Sequence, residues 1–174
     1  INLALPAWLD SGRASDNLRR FRYAADHGMR CLAWDERVYR AYFEGGGDAL
    51  LDSVVAEHIG EPGFLGYYFT DEPVESEFPL LARIYADLRK RDPIHPAWNS
   101  LLPIYGFADR AAFERHARDF LDATGASVLC NNHYDFLVGS DRGRFVENAA
   151  TLRAIADEYG IPFWSYVQLV EHGP

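Results

Sequence analysis

Two adjacent carboxylates, Asp71 and Glu72, close a run of aromatic strand formers in Gly66-Tyr-Tyr-Phe-Thr-Asp-Glu-Pro73. Tyr67, Tyr68 and Phe69 favour a pleated, half-buried backbone, where an ionised acid is costly unless it is paired or reaches water. The chain therefore presents acid at a strand's end. The aromatic lead-in and the Asp71 charge should both raise the pKa of Glu72, because burial and a neighbouring anion each disfavour the charged form. Such a carboxyl keeps its proton near neutral pH and can hand it to a leaving oxygen. Cleavage of a glycosidic bond requires that acid and a second carboxylate, acting as nucleophile or as base for water. The plainer alternative is that Thr70, Asp71 or Glu72 caps the following helix, with Pro73 near its first turn and Glu75 and Glu77 at its positive end. Glutamate, however, is a poor N-cap.

Aromatic side chains accompany this acid. Trp34, Trp98, Tyr105, Tyr134, Trp164 and Tyr166 all fall in or just beyond predicted strands, and flat aromatic faces pack on the C–H faces of pyranose rings. Any one of them can equally be core, since aromatics bury large areas. The same acids also permit a different chemistry, in which Asp35, Glu36, Asp71 and Glu72 bind a divalent ion, as in enolase-like barrels. Against that, Trp98-Asn99-Ser100 stands where a third acid would be needed. No metal or other cofactor is expected. His27 and His58 are expected at helix ends, where a cation favours the dipole. His116 is expected on a helix whose Arg110, Arg115, Arg118, Glu114 and Asp119 form a solvated face, and His133 is expected as a hydrogen-bonded wall residue.

The elements that must position these residues alternate along the chain. Apolar, β-rich runs at 2–6, 30–34, 64–69, 97–102, 127–130 and 162–169 predict six strands. Amphipathic segments at 17–27, 49–58, 79–91, 111–123 and 145–159 predict five helices between them. Gly28, Gly60, Gly125 and Gly160 should cap four of these helices, and Asp92-Pro93 should end the other. Strict alternation implies right-handed crossovers and a parallel sheet, hence an α/β fold. A doubly wound sheet and a (β/α)8 barrel of TIM type both fit. The barrel is favoured because polar residues follow nearly every strand (Asp35-Glu36, Asp71-Glu72, Asn99-Ser100, Asn131-Asn132-His133 and Gln168), and that rim forms the active face of barrels. A full barrel needs about 250 residues, so a chain of 174 is expected to be an incomplete one, a single domain over 1–174 lacking strands at both ends. Gly45-Gly46-Gly47 follows no strand and lacks a Walker lysine, so it reads as a flexible loop.

Composition narrows the partners. Acidic residues outnumber basic ones 26 to 17, and the net charge of -9 disfavours nucleic acid and anionic membrane. No window of about 18 apolar residues is present to span a bilayer. The opening Ile1-Asn-Leu-Ala-Leu-Pro6 lacks the basic start of a signal peptide, and the natural N-terminus is expected upstream. Cys31 and Cys130 sit inside apolar runs and read as free buried thiols.

The chain resembles a group of glycoside hydrolases with a clan A-like (β/α) barrel, marked by a Gly-Tyr-x-x-x-Asp-Glu-Pro strand end. Besides Gly66 to Pro73, the resemblance runs through Ile1-Asn-Leu-Ala-Leu, Ala24-Ala-Asp-His-Gly-Met-Arg-Cys-Leu, Asp92-Pro-Ile-His-Pro-Ala-Trp-Asn99, Asn132-His-Tyr134 and Ile161-Pro-Phe-Trp-Ser-Tyr-Val-Gln168. It implies that the first strand here is the barrel's second and that Glu72 ends the barrel's fourth, the place of the general acid/base. Asp71 would then orient Glu72, and Asn99 would donate to a sugar hydroxyl. The resemblance also implies a carbohydrate partner bound by Trp34, Asp35, Trp98, Asn99, Asn132, His133, Tyr134, Trp164, Tyr166 and Gln168, and a secreted or periplasmic location. The chain departs from the pattern where a nucleophilic glutamate should close the barrel's seventh strand, since Val167-Gln168 stands there and the nearest acid is Glu171. It departs again at Asn132, where related sequences carry Asp two residues before the tyrosine, and Asp135 follows instead. An inverting mechanism with Asp135, Asp35 or Glu171 as base is therefore open, as is a domain that binds carbohydrate without cleaving it.

Overall fold

The strand that carries the acids, β3 (Phe64–Asp71), is nearly continuous in its apolar residues, and Phe64, Tyr67, Tyr68 and Phe69 are all buried. That pattern belongs to a parallel strand covered on both faces. In the computed structural model, which describes residues 3–4, 14–44, 47–141, 143–166 and 168, β3 lies within a four-stranded sheet. Its order is β1 (Leu3–Ala4), β2 (Arg30–Trp34), β3 and β4 (Ala97–Ser100), and β1 and β3 both run parallel to β2. A second parallel pair joins β5 (Leu129–Asn131) to β8 (Phe163–Ser165), and a parallel bridge links Leu101 to Asn131. Helices α1 (Ala14–Asp26), α2 (Glu36–Phe43), α3 (Gly47–His58), α4 (Phe78–Arg91), α5 (Arg110–Thr124) and α6 (Phe145–Tyr159) separate the strands. The fold is α/β of (β/α)-barrel type, with six parallel strands among the described residues.

Contacts divide the chain into two compact units, one made of Ile1–Phe69 and Arg83–Trp98, the other of Thr70–Ala82 and Asn99–Pro174. In the first, Phe21, Leu32, Phe64, Ile84 and Trp98 are core residues. Gly63 is obligatory there, because a Cβ would stand 1.8 Å from the Phe21 carbonyl oxygen. In the second, Leu101, Ile104, Phe113, Phe120, Leu129, Leu152 and Ile155 are buried.

Several expectations change. Among the described residues six α-helices are present rather than five, because Asp35 and Glu36 open an additional helix: the Asp35 carboxylate accepts from the Arg37 amide as N-cap of α2. A short antiparallel hairpin, β6 (Phe136–Leu137) with β7 (Ser140–Asp141), interrupts the alternation after β5. Gly28, Gly125 and Gly160 take the left-handed conformation of helix caps, but Gly60 does not. His58 is buried against the Phe21 and Phe64 rings, and burial lowers its pKa, so it is no solvated dipole partner. His116 likewise lies inside, its Nδ1 2.6 Å from Glu75 Oε1. Cys31 and Cys130 are buried thiols outside any disulfide, and burial pushes the Cys130 thiol up. Among the described residues, no helix is long and apolar enough to cross a membrane.

Candidate active site

The first residue of the acidic strand end has a steric task. A Cβ on Gly66 would stand 2.3 Å from the Pro96 carbonyl oxygen, where the Tyr67 amide donates to that same oxygen at 2.9 Å. Only glycine admits this approach of the chain leading into β4.

At the far end of the motif, the Asn99 amide donates to the Thr70 carbonyl at 2.7 Å and the Glu72 amide to the Ser100 carbonyl at 2.8 Å. Glu72 itself has φ +46°, a left-handed conformation that is costly for a side chain with a Cβ. Strain of this kind persists where the surroundings over-determine it, and it concentrates at functional sites. The two backbone anchors and the buried Pro73 supply that constraint. Glu72 is not a helix cap: a 3₁₀ turn at Glu75–Glu77 intervenes before α4, and the Val74 amide is satisfied by the Glu77 carboxylate at 2.9 Å.

The Glu72 side chain is half-buried, and its pKa is raised, first by burial and then by the Asp71 charge, while a hydrogen bond from the Asn132 amide opposes the shift. Tyr134 hydrogen-bonds the same Asn132, and its pKa is raised by burial, Asp71, Glu72 and Tyr105. Burial, Cys130, Asp71 and Tyr134 push the Tyr166 hydroxyl up in turn. Asp71, Glu72, Asn132, Tyr134, Tyr105 and Tyr166 therefore form one electrostatically coupled group.

Asn132 is 4% exposed and is held by the residue before it. Asn131 Oδ1 accepts from Asn148 Nδ2 at 2.7 Å, and Asn148 Oδ1 accepts from the Ile104 amide at 2.9 Å, so a buried amide pair ties β5 to α6 and to the turn after β4. Asn148, an amide inside the apolar face of α6, was not singled out in the sequence; its burial is the only signal that could have found it.

The other candidates have contacts of their own. His133 is 1% exposed between the Tyr105 and Phe145 rings, with Nδ1 3.7 Å from Asp135 Oδ1. The Gln168 side chain brackets the Phe136 backbone, accepting from its amide at 2.8 Å and donating to its carbonyl at 2.6 Å. Trp164 is half-buried on β8, and Glu171 lies outside the described residues. Trp34, Asp35 and Trp98 belong to the first unit. There Trp98 is 1% exposed and meets Tyr68 edge-on, Trp34 packs at 5.9 Å from Tyr68, and Asp35 binds Arg37 through both oxygens. Asn99 is buried, with its amide directed at Thr70. Glu36 occupies the first turn of α2, and no group of three or more His, Cys, Asp or Glu among the described residues could hold a metal ion.

No protein-family model matches the sequence, and no curated protein does. Solved structures do. The β-glucuronidase of Ruminococcus gnavus superposes with a TM-score of 0.56 at 11% identity over 94% of this chain and 27% of its own. The β-glucuronidase of Dictyoglomus thermophilum gives 0.52 at 12% over 83% and 27%, and the β-1,4-mannanase of Cryptopygus antarcticus 0.54 at 10% over 99% and 76%. The chain thus spans about a quarter of each glucuronidase. At these identities the likeness is one of fold.

Proposed function

We propose that this chain is a glycoside hydrolase-type barrel domain in which Glu72 is the general acid/base and Asp71 keeps its proton in place. The observation that carries this reading is the half-buried Glu72, whose affinity for a proton is raised by burial and by Asp71. A carboxyl whose affinity for its proton is raised in this way can protonate a glycosidic oxygen as the C–O bond breaks. Asn132, bonded to both Glu72 and Tyr134, orients the acid, and Tyr134 and Tyr166 offer aromatic surface to a sugar. The barrel-type fold shared with glucuronidases and a mannanase supports a carbohydrate substrate. Asp135 or Glu171 would be the second carboxylate.

A second reading, carbohydrate binding without cleavage, is favoured by Gln168. At the position where the resemblance places a nucleophilic glutamate, this amide is engaged with the Phe136 backbone. Turnover of aryl glycosides by the full-length protein separates the two. The hydrolase reading expects Glu72→Gln to lower kcat by about 10²- to 10⁴-fold while sugar binding persists. Undiminished kcat in that variant refutes the role of Glu72, and binding with no turnover of any glycoside selects the second reading.

A further inference from the structure

The left-handed backbone of Glu72 is held on one side by β4, whose Ser100 carbonyl accepts its amide. On the other side, Pro73 is buried with φ fixed by its ring, and Val74 is extended (φ -94°, ψ 161°). Glu72 is thus joined to the 3₁₀ turn at Glu75–Glu77 by a short, stiff link. None of the three residues of that turn is buried. The Val74 amide bonded to the Glu77 carboxylate, and the Glu77 amide to the Val74 carbonyl, close the turn on itself. Among the described residues, the side-chain hydrogen bond that ties it to another element runs to α5, where His116 Nδ1 stands 2.6 Å from Glu75 Oε1. The imidazole is 3% exposed and packs on the Phe78 and Phe107 rings at 5.1 and 4.9 Å. A carboxylate only accepts, so Nδ1 carries a proton. The opposite nitrogen, Nε2, is buried without a hydrogen-bond partner among the described residues, and that is costly whichever charge the ring carries. A phenyl ring would fill the same place without this cost. The bond to Glu75 is therefore what an imidazole adds here.

We propose that His116 is a positioning residue for Glu72: through Glu75 it fixes the turn that follows the acid, and so clamps the left-handed backbone of Glu72 between β4 and α5. The inference rests on the acid/base role given to Glu72 above and deepens it by naming what keeps the carboxyl in place. A residue with a Cβ leaves a positive φ for the ordinary regions unless its neighbours forbid the move. Ser100 forbids it from the strand side, and the bond from the buried imidazole forbids it from the turn.

The test is native-state amide exchange of the full-length protein, together with the one-bond Cα–Hα coupling of Glu72, which separates positive from negative φ. His116→Phe keeps a ring and removes the donor. The Glu72, Val74 and Glu77 amides should then exchange about three- to tenfold faster, the range for one hydrogen bond to a partly solvated carboxylate. The Glu72 coupling should shift toward that of a negative φ, while the denaturation midpoint should not fall, because the bare nitrogen is gone. Glu75→Ala, at an exposed side chain, should reproduce the local changes, and Glu75→Gln, which keeps an acceptor, should restore protection. The double variant should be no worse than either single one. On a glycoside that the parent turns over, kcat of His116→Phe should fall with KM little changed. Exchange and coupling unmoved in both His116→Phe and Glu75→Ala overturn the inference and leave the glycosidase reading standing. A lower midpoint with no selective rise in exchange at these three amides overturns it as well, since His116 would then be a core residue alone. So does an unchanged kcat in a variant whose Glu72 backbone has moved. Undiminished kcat in Glu72→Gln refutes the acid itself, and with it the catalytic meaning of the clamp.

Discussion

Glu72 combines two costs that ordinary surface residues avoid: a left-handed backbone and a carboxyl that resists ionisation. They separate by substitution. Glu72→Gly removes the steric penalty of φ +46° and should stabilise the protein by about 1 kcal/mol in chemical denaturation, at the expense of activity. Glu72→Gln keeps the strained backbone but removes the titration. Because burial and Asp71 raise the folded pKa, the folded state holds this proton more tightly than the unfolded one does. The stability it contributes is complete below the ordinary carboxyl pKa and is lost as pH rises through the raised value. The thermal midpoint of Glu72→Gln should therefore fall less than that of the parent between about pH 4 and pH 8. Equal slopes for the two proteins would contradict the raised pKa.

The elements around the site depend on buried amides more than on their lengths. Asn148→Ala leaves the Ile104 amide and Asn131 Oδ1 without their partner in a dry interior, and should cost about 2 to 4 kcal/mol. Accelerated amide exchange at Ile104 would locate the loss at the turn after β4. Long periodic elements were legible in the sequence: α6 runs over the expected 145–159, β2 over 30–34, and β3 exceeds its expected end only by Thr70 and Asp71. What escaped was short. The α2 helix has eight residues, and its opening acids read equally well as strand-end chemistry, since a capping aspartate and a catalytic one follow a strand in the same way. The β6 and β7 strands have two residues each, too few to show a period. For the candidate site, the place of Asp71 at the end of β3, with Glu72 directly after it, was legible from residue type and position. The engagement of Gln168 with the Phe136 backbone was not, because it joins residues 32 apart through a side chain that imitates a strand.

Across the whole molecule, two buried titratable groups pull stability in opposite directions. Burial lowers the pKa of His58, with Asp35 opposing, so its contribution is complete above the ordinary histidine pKa and is lost as pH falls through the folded value. Glu72 acts in the opposite sense as pH rises. In a scan of thermal midpoint against pH, His58→Phe, placed among Phe21 and Phe64, should flatten the acid limb. An acid limb unchanged by that substitution would assign the loss to the carboxylates paired with arginine, such as Glu57 with Arg37.

The glycine that opens the acidic strand end answers to backbone crowding alone, since any side chain there would collide with the Pro96 carbonyl. A protein that had abandoned its chemistry would still be forced to keep that residue, while its acids could drift. Among descendants of such a fold, survival of the glycine without the Asp-Glu pair would mark a scaffold retired from catalysis.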